Sequence, residues 1–238
     1  DQNQRLTEER HRTLIAHYDA MEAQLNPHFL YNTLSVIGMT GLASGNTDVS
    51  DMCTELSQLL RYSLSYTGQS VLLSQEIDNA RHYLYIMKIR YEDDLKYEWQ
   101  LDDSLNDITV PKLILQPLIE NCFQHGFHQA GTEIQIRSHH DKNRWYLSIA
   151  NNGAPFQKEK LSNLRRKIAG FTFTGNQDMD HESIFRHQGY GLENTILRLH
   201  IYYHGEEYFH VSGNENEQTT VTIGGPLKPE KSFSRNSL

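Results

Sequence analysis

Cysteine is nearly absent: Cys53 and Cys122 are the only two in 238 residues. They lack metal-ligand spacing and the density of a secreted disulfide scaffold. Both fall in apolar, helix-like runs, which predicts reduced, cytosolic core thiols. No apolar run approaches the ~20 residues that span a bilayer, and there is no signal peptide. Positive charge is in deficit, 22 Lys+Arg against 30 Asp+Glu, and no basic run carries interleaved aromatics. Nucleic acid and anionic membrane surfaces are therefore not expected partners. What is present is length for one or two domains, either of which could bury a core. The chain starts at Asp1, without Met, inside a polar helical pattern, and reads as a fragment of something longer.

Only six prolines occur, and one stands where it is least expected. Leu14, Tyr18, Met21, Leu25 and His28 step by 4, 3, 4 and 3, the period of a helix packed along a seam. Pro27 interrupts that seam, at a cost of about 3 kcal/mol for a proline inside a helix. Helical spacing then resumes with Leu30, Leu34 and Ile37. Directly after the proline stands His28, whose type of side chain changes charge near neutral pH. The bland alternative is a structural histidine in a bundle seam. Gly41 to Asp48 reads as a loop, and a second helix follows with Met52, Leu56, Leu59 and Ser63 on one stripe. A hairpin alone buries only part of such stripes, so a homodimeric four-helix bundle is expected.

Ser74 reads as the N-cap of a third helix over about 75–90. Beyond it the texture changes to alternation at 95–101, 133–137, 145–149 and 219–223, the mark of strands. Helices are expected between them, one opened by Pro111 and running to about Gln124, another over about 190–204. One sheet with helices on one face follows, an α+β arrangement. The tail 227–238 is Pro-, Lys- and Ser-rich and reads as disordered.

Three polar patches stand out in this half. Glu120, Asn121, Gln124 and His125 fall within about one and a half helical turns, so several can converge on one cavity. Oxygen ligands such as the Asn121 amide suit Mg²⁺, which leans on substrate phosphates; the bland alternative is a solvated helix end. Asn151-Asn152-Gly153 follows a strand and by itself reads as a turn. Gly189 and Gly191 precede a helix beginning Leu192-Glu193-Asn194. Such glycines let backbone N–H groups approach a phosphate, although a lone Gly-x-Gly is a weak signal.

The order of these segments is more specific than any one of them. Pro-His-Phe-Leu-Tyr-Asn on a hairpin is followed by Pro-Leu-Ile-Glu-Asn-x-x-x-His-Gly. A strand ending in Asn-Asn-Gly comes next, then Gly-x-Gly-Leu-x-Asn-x-x-x-Arg-Leu. The series resembles the sensor histidine kinases of the YesM/LytS type, from about Met21 to Ile223. The resemblance implies a dimerisation and phosphoacceptor hairpin over 1–70, then a GHKL (Bergerat-type) α/β sandwich binding ATP over 71–226. It further implies a homodimer, a cognate response regulator as partner, and a membrane-anchored sensor part preceding this cytoplasmic portion. By position, His28 resembles the autophosphorylated histidine. Asn121 resembles the asparagine that holds Mg²⁺, with Glu120 beside it as a catalytic carboxylate. Gln124 and His125 complete that motif. Asn151 takes the place of the aspartate that meets the adenine amine, followed by Gly153. Gly189, Gly191, Leu192 and Asn194 match the end of a lid over the phosphates, and 154–188 would hold the lid, with a helix over about 157–168.

Three residues depart from the pattern: Asn151 replaces an aspartate, Pro155 a glycine, and Gln124 a frequent lysine. The implied activity is ATP-dependent phosphorylation of His28 and transfer of the phosphoryl group to a response-regulator aspartate. A dimeric signalling scaffold with a degenerate ATP site is the alternative, and a stand-alone ATPase a third reading.

Overall fold

The computed structural model describes residues 27–65, 70–126, 131–153, 162, 166, 191–213 and 218–227, with the backbone alone for 124–126. The expected seam from Leu14 to Leu25, most of the expected lid, Pro155, Gly189 and the tail from 228 lie outside the described residues. The chain divides into two compact units, Asp1–Ser65 and Tyr66–Leu238.

The first unit is a helical hairpin of α1 (Pro27–Ala43) and α2 (Thr47–Leu64). The expected loop from Gly41 to Asp48 shrinks to residues 44–46, because Gly41 serves packing rather than chain reversal. Gly38 and Gly41 are the buried residues of α1, and a Cβ added to Gly41 would stand 2.8 Å from that of Val49. Asn46 then caps α2, its side chain accepting from the Val49 N–H at 3.3 Å, which satisfies one of the donors a helix start leaves open. Cys53 and Leu59 are the buried positions of α2. Phe29, Val36, Ile37, Met39 and Leu42 of α1 remain exposed.

The second unit is α+β. Strand β1 (Ser70–Leu72) leads into α3 (Leu73–Tyr91), followed by β2 (Leu95–Gln100), β3 (Thr109–Pro111) and α4 (Gln116–Gly126). Then come β4 (Thr132–His140), β5 (Arg144–Asn151), α5 (Gly191–Tyr202), β6 (Tyr208–Gly213) and β7 (Thr219–Pro226). Five strands form one sheet in the order β2-β4-β5-β7-β6, with β2 and β4 parallel and the other neighbours antiparallel. A second sheet, β1 with β3, was not expected from the sequence.

Alternation decides which face of the large sheet is covered. Ile134, Ile136, Trp145, Leu147, Ile149, Val221 and Ile223 all point to the buried face, each contributing about 1.5–3 kcal/mol on leaving water. Their neighbours Glu133, Gln135, Arg137 and Tyr146 take the other face, as period-two alternation requires. Trp145 donates from Nε1 to the hydroxyl of Tyr203 at 3.1 Å, so even the largest core side chain has its polar atom satisfied.

Two helix starts differ from expectation. Ser74 is not the cap of α3: the helix begins at Leu73, and the Leu72 N–H is taken by the Gln75 side chain at 3.0 Å. The Leu73 and Ser74 N–H groups reach the carbonyls of Ile108 and Asn106 at 2.9 and 3.2 Å, so a neighbouring loop supplies acceptors that a serine hydroxyl would otherwise provide. Pro111 does not open α4 either. It ends β3, and Pro117 sits in the first turn of α4, where a missing N–H is harmless.

Candidate functional site

Between Pro111 and Gln116 the chain makes a sharp bend in which Leu113 has φ of +59°, a conformation a branched side chain rarely adopts. Buried N–H groups in such a bend need acceptors, and Glu76 supplies them. Fully buried on α3, its Oε1 accepts from Leu113 N at 2.6 Å and its Oε2 from Ile114 and Leu115 at 2.8 and 2.9 Å. From the other side the Arg198 guanidinium, on α5, donates to the carbonyls of Lys112 and Leu113 at 3.2 and 2.9 Å. Burial pulls the Arg198 and Lys112 cations below their usual range, and the Glu76 charge opposes that pull. A carboxylate from α3 and a guanidinium from α5 thus fix where α4 starts.

Glu120 lies one turn into α4, half-buried, and accepts from Gln116 Nε2 at 2.8 Å. Gln116 Oε1 in turn accepts from Asn79 Nδ2 at 2.8 Å. Tyr83, one turn beyond Asn79 on α3, stands edge-on to Phe123 at 5.9 Å between centroids. Burial first, and then the Glu120 charge, push the Tyr83 phenol above its ordinary value. Asn121 is half-buried beside Glu120. The side chains of Gln124 and His125 lie outside the described residues.

The Asn-Asn-Gly turn separates into two jobs. Asn152 is exposed and holds the chain: its Oδ1 accepts from Glu133 N at 2.9 Å and its Nδ2 donates to the Gly131 carbonyl at 3.1 Å. Asn151 points the other way and is buried. Its amide is satisfied with Nδ2 donating to the Thr219 carbonyl and Oδ1 accepting from Gly153 N, both at 3.2 Å. Asn151 pairs with Ile134 on one side and Thr219 on the other, and Thr132 follows on the same face of β4. At this end the apolar face of the sheet therefore turns polar. Thr132 Oγ1 is buried with no partner among the described residues, and the Asn151 oxygen keeps a second lone pair.

α5 begins beside α4. A Cβ on Gly191 would stand 3.3 Å from that of Pro117, so glycine allows the N-terminus of α5 to lie against the first turn of α4. Leu192 is buried and Asn194 half-buried, while Thr195 Oγ1 donates back to the Gly191 carbonyl at 2.9 Å. Glu120 and Asn121 on α4, Asn151 and Gly153 at the end of β5, and the start of α5 belong to this second unit. His28 belongs to the hairpin. It is exposed in the first turn of α1, with Asn32 Nδ2 at 3.2 Å from its Nδ1 and 3.4 Å from its Nε2. The sequence singled out neither Glu76 nor Asn79, and treated Gln116 and Asn32 only as parts of motifs.

Comparison with known proteins gives this arrangement a family. The profile of the histidine kinase-, DNA gyrase B-, and HSP90-like ATPases matches residues 106–229, more than half of the chain. The chain belongs to that ATPase family. The histidine kinase profile matches residues 16–95 ahead of it, the order of a YesM-type sensor histidine kinase, and the second unit of this family member is accordingly the GHKL sandwich. The sensor histidine kinase YesM of Bacillus subtilis is 36% identical over 136 residues, 56% of this chain and 24% of that protein. The sensor protein kinase HptS of Staphylococcus aureus is 28% identical over 207 residues, 87% of this chain and 38% of that protein. The chain thus spans well under half the length of these curated relatives. The solved catalytic domain of the histidine kinase ThkA aligns over 68% of this chain and 97% of its own, at 19% identity and a TM-score of 0.45. Among the described residues no helix is long and apolar enough to cross a membrane.

The residues present fit the nucleotide that such a family implies. A buried amide with a spare lone pair, on the same sheet face as a threonine hydroxyl that has no partner among the described residues, offers hydrogen-bonding capacity to a base edge. Among the described residues no three His, Cys, Asp or Glu side chains converge. A Mg²⁺ ion here would therefore take oxygen ligands from Asn121, water and phosphates, a set it accepts readily.

Proposed function

We propose that this chain is the catalytic portion of a sensor histidine kinase, binding Mg-ATP in its second unit and phosphorylating His28. The observation that carries the proposal is an exposed histidine, in the first turn of a hairpin helix, in the same chain as a unit of the ATPase family that carries the buried Asn151 amide, the Thr132 hydroxyl and the close approach of α5 to α4. A neutral imidazole is a competent nucleophile near pH 7. In the transfer a ring nitrogen of His28 forms the N–P bond as the bond from the γ-phosphorus to the β–γ bridging oxygen breaks. ADP leaves, and the ring gives up a proton, for which Glu120 is the acceptor. Asn151 holds the adenine amine through its spare lone pair. The N–H groups at the start of α5 face the phosphates, as helix N-termini do for anions. Mg²⁺ when bound supplies charge neutralisation on the phosphates, the main demand of phosphoryl transfer, and Asn121 would hold it.

The phosphoryl group on His28 then passes to an aspartate of a response regulator. The hairpin dimerises with a second copy: Phe29 and Met39 are 64% and 63% exposed on α1, with Val36, Ile37 and Leu42 also in water, more apolar surface than a lone hairpin keeps uncovered. A membrane-anchored sensor part completes the protein, with this portion in the cytoplasm. The test is incorporation of label from γ-labelled ATP, alongside calorimetry with Mg-ATP. His28→Gln should bind nucleotide like the unaltered chain and take up no label. Absence of Mg-ATP binding in the unaltered chain, or label retained by His28→Gln, refutes the assignment. Phosphate release that continues at full rate without His28 would mark a stand-alone ATPase instead.

A further inference from the structure

The line of side chains from α3 to Glu120 has a direction, and the direction is imposed from the Glu120 end. An ionised carboxylate only accepts hydrogen bonds, so Gln116 must turn its Nε2 to Glu120, as it does at 2.8 Å. That leaves Gln116 Oε1 facing α3, and Asn79 must then present its Nδ2, as it does at 2.8 Å. The consequence is visible on Asn79. Only 2% exposed, it is left with an Oδ1 that has no partner among the described residues. A buried amide turned to suit itself would not leave its acceptor unsatisfied. We propose that Asn79 and Gln116 are positioning residues of the proposed kinase reaction, a two-amide relay by which α3 fixes the Glu120 carboxylate.

The proposal rests on the kinase reading for its effect on turnover, but its geometry can be tested without any turnover. Asn79→Asp is the decisive variant because it turns the donor end of the line into an acceptor, at the added cost of a charge in a site only 2% exposed. The carboxylate it introduces can only accept, so Gln116 must give it Nε2 and turn Oε1 toward the Glu120 carboxylate, where two acceptors face each other. Glu120→Gln removes that conflict, since a glutamine can donate to Gln116 Oε1 and let the whole line run backwards. The relay therefore predicts that Asn79→Asp lowers the denaturation midpoint of the second unit and that adding Glu120→Gln raises it again, although Glu120→Gln by itself only weakens the bond from Gln116, whose Nε2 a glutamine oxygen still accepts. A helix-packing role for Asn79 predicts no such recovery. Plain repulsion between the two carboxylates predicts the same recovery when Gln116→Met has removed the link, whereas the relay predicts none there; an equal recovery in that background overturns it.

The activity arm uses Asn79→Asp and Gln116→Met, the latter keeping the length of the side chain. Both should lower kcat for His28 phosphorylation by about tenfold, less than the roughly 10²–10⁴-fold that a positioned proton acceptor contributes, because the carboxylate stays and only its placement is loosened, with KM for Mg-ATP within about twofold of the unaltered chain. Combining the two should cost little more than either alone, because both break the same line. Recovery of the midpoint by Glu120→Gln together with the kcat loss supports the relay. No recovery, or full kcat in both folded variants, overturns it. If the unaltered chain shows no phosphorylation at all, the kinase reading falls, while the midpoint cycle still decides whether the relay exists.

Discussion

Replacing Glu76 by glutamine should be among the most damaging single-atom changes available in this chain. The side chain is fully buried and its two oxygens accept three backbone N–H groups, at 2.6, 2.8 and 2.9 Å. Hydrogen bonds to a charged group are worth about 1.5–3 kcal/mol each, and a buried donor left unsatisfied costs about 1–3 kcal/mol. A glutamine can place its one oxygen at the Oε2 position and keep Ile114 and Leu115, weakened by the loss of charge. Its NH₂ then faces the Leu113 N–H, donor against donor. The Arg198 and Lys112 cations also lose the anion that offsets their burial. Together these effects predict a loss of about 3 kcal/mol for Glu76→Gln. Glu76→Leu, which strands all three donors, should lose more than about 4 kcal/mol, the range reserved for a broken buried network. Urea unfolding followed by tryptophan fluorescence is the assay, since Trp99 and Trp145 both lie in the second unit. A Glu76→Gln midpoint within error of the unaltered protein, at unchanged slope, would refute the claim that this carboxylate holds the bend.

Two further outcomes follow from single side chains. Burial pushes the Cys122 thiol from an ordinary 9.0 up to about 12, so between those values the unfolded chain releases a proton that the folded chain keeps. Stability should therefore fall as pH rises from 9 toward 12, by at most about 1.4 kcal/mol per pH unit from this group, and Cys122→Ala should unfold with a shallower alkaline slope; equal slopes in the two proteins would refute it. Asn151→Asp removes the donor to the Thr219 carbonyl and sets a carboxylate oxygen against it, which predicts a nucleotide-free protein less stable by about 1–3 kcal/mol. The same carboxylate accepts more strongly from an adenine amine, so Mg-ATP should raise the melting temperature of Asn151→Asp by more than that of the unaltered chain, and an equal or smaller rise would remove Asn151 from the adenine site.

The elements that repeat a short pattern were legible in the sequence. Alternation located β2, β4, β5 and β7, and the helical spacings after Pro27 and around Leu59 located the hairpin, because each of these patterns answers to one buried face. What escaped were the places where tertiary partners take over a local job. Ser74 looked like a cap because caps are usually supplied within three residues, yet the first N–H groups of α3 bond to Asn106 and Ile108. Gly41 looked like a breaker because glycine lowers helix stability by about 1 kcal/mol, whereas here its missing side chain is what lets Val49 approach. Strand β6 carries only Phe209 and Val211 inward at an edge of the sheet, too short an alternation to stand out. Two neighbouring asparagines, identical in type, proved to have opposite orientations, and the partners of Asn152 at the start of β4 reveal which one faces inward.

The same logic explains why the site's supporting residues were invisible. A polar residue in an amphipathic helix is assigned by default to water, and on that rule Glu76 and Asn79 belong to the solvated face of α3. The rule fails wherever a backbone bend carries N–H groups into the interior without a neighbouring strand or turn to take them. The bend before α4 does so, with φ of +59° at Leu113, and its acceptor comes from 37 to 39 residues away. Nothing in the local sequence of 112–115 announces the need, and nothing in that of 73–80 announces the supply. Once Glu76 is buried, Asn79 is drawn in with it, since residues three apart share a helix face, and it meets the Gln116 side chain there. The amides that line up on Glu120 are thus a consequence of how α4 is started, and a helix whose first turn is fixed by charge rather than by an ordinary cap keeps its carboxylate in place only as long as that charge stays buried.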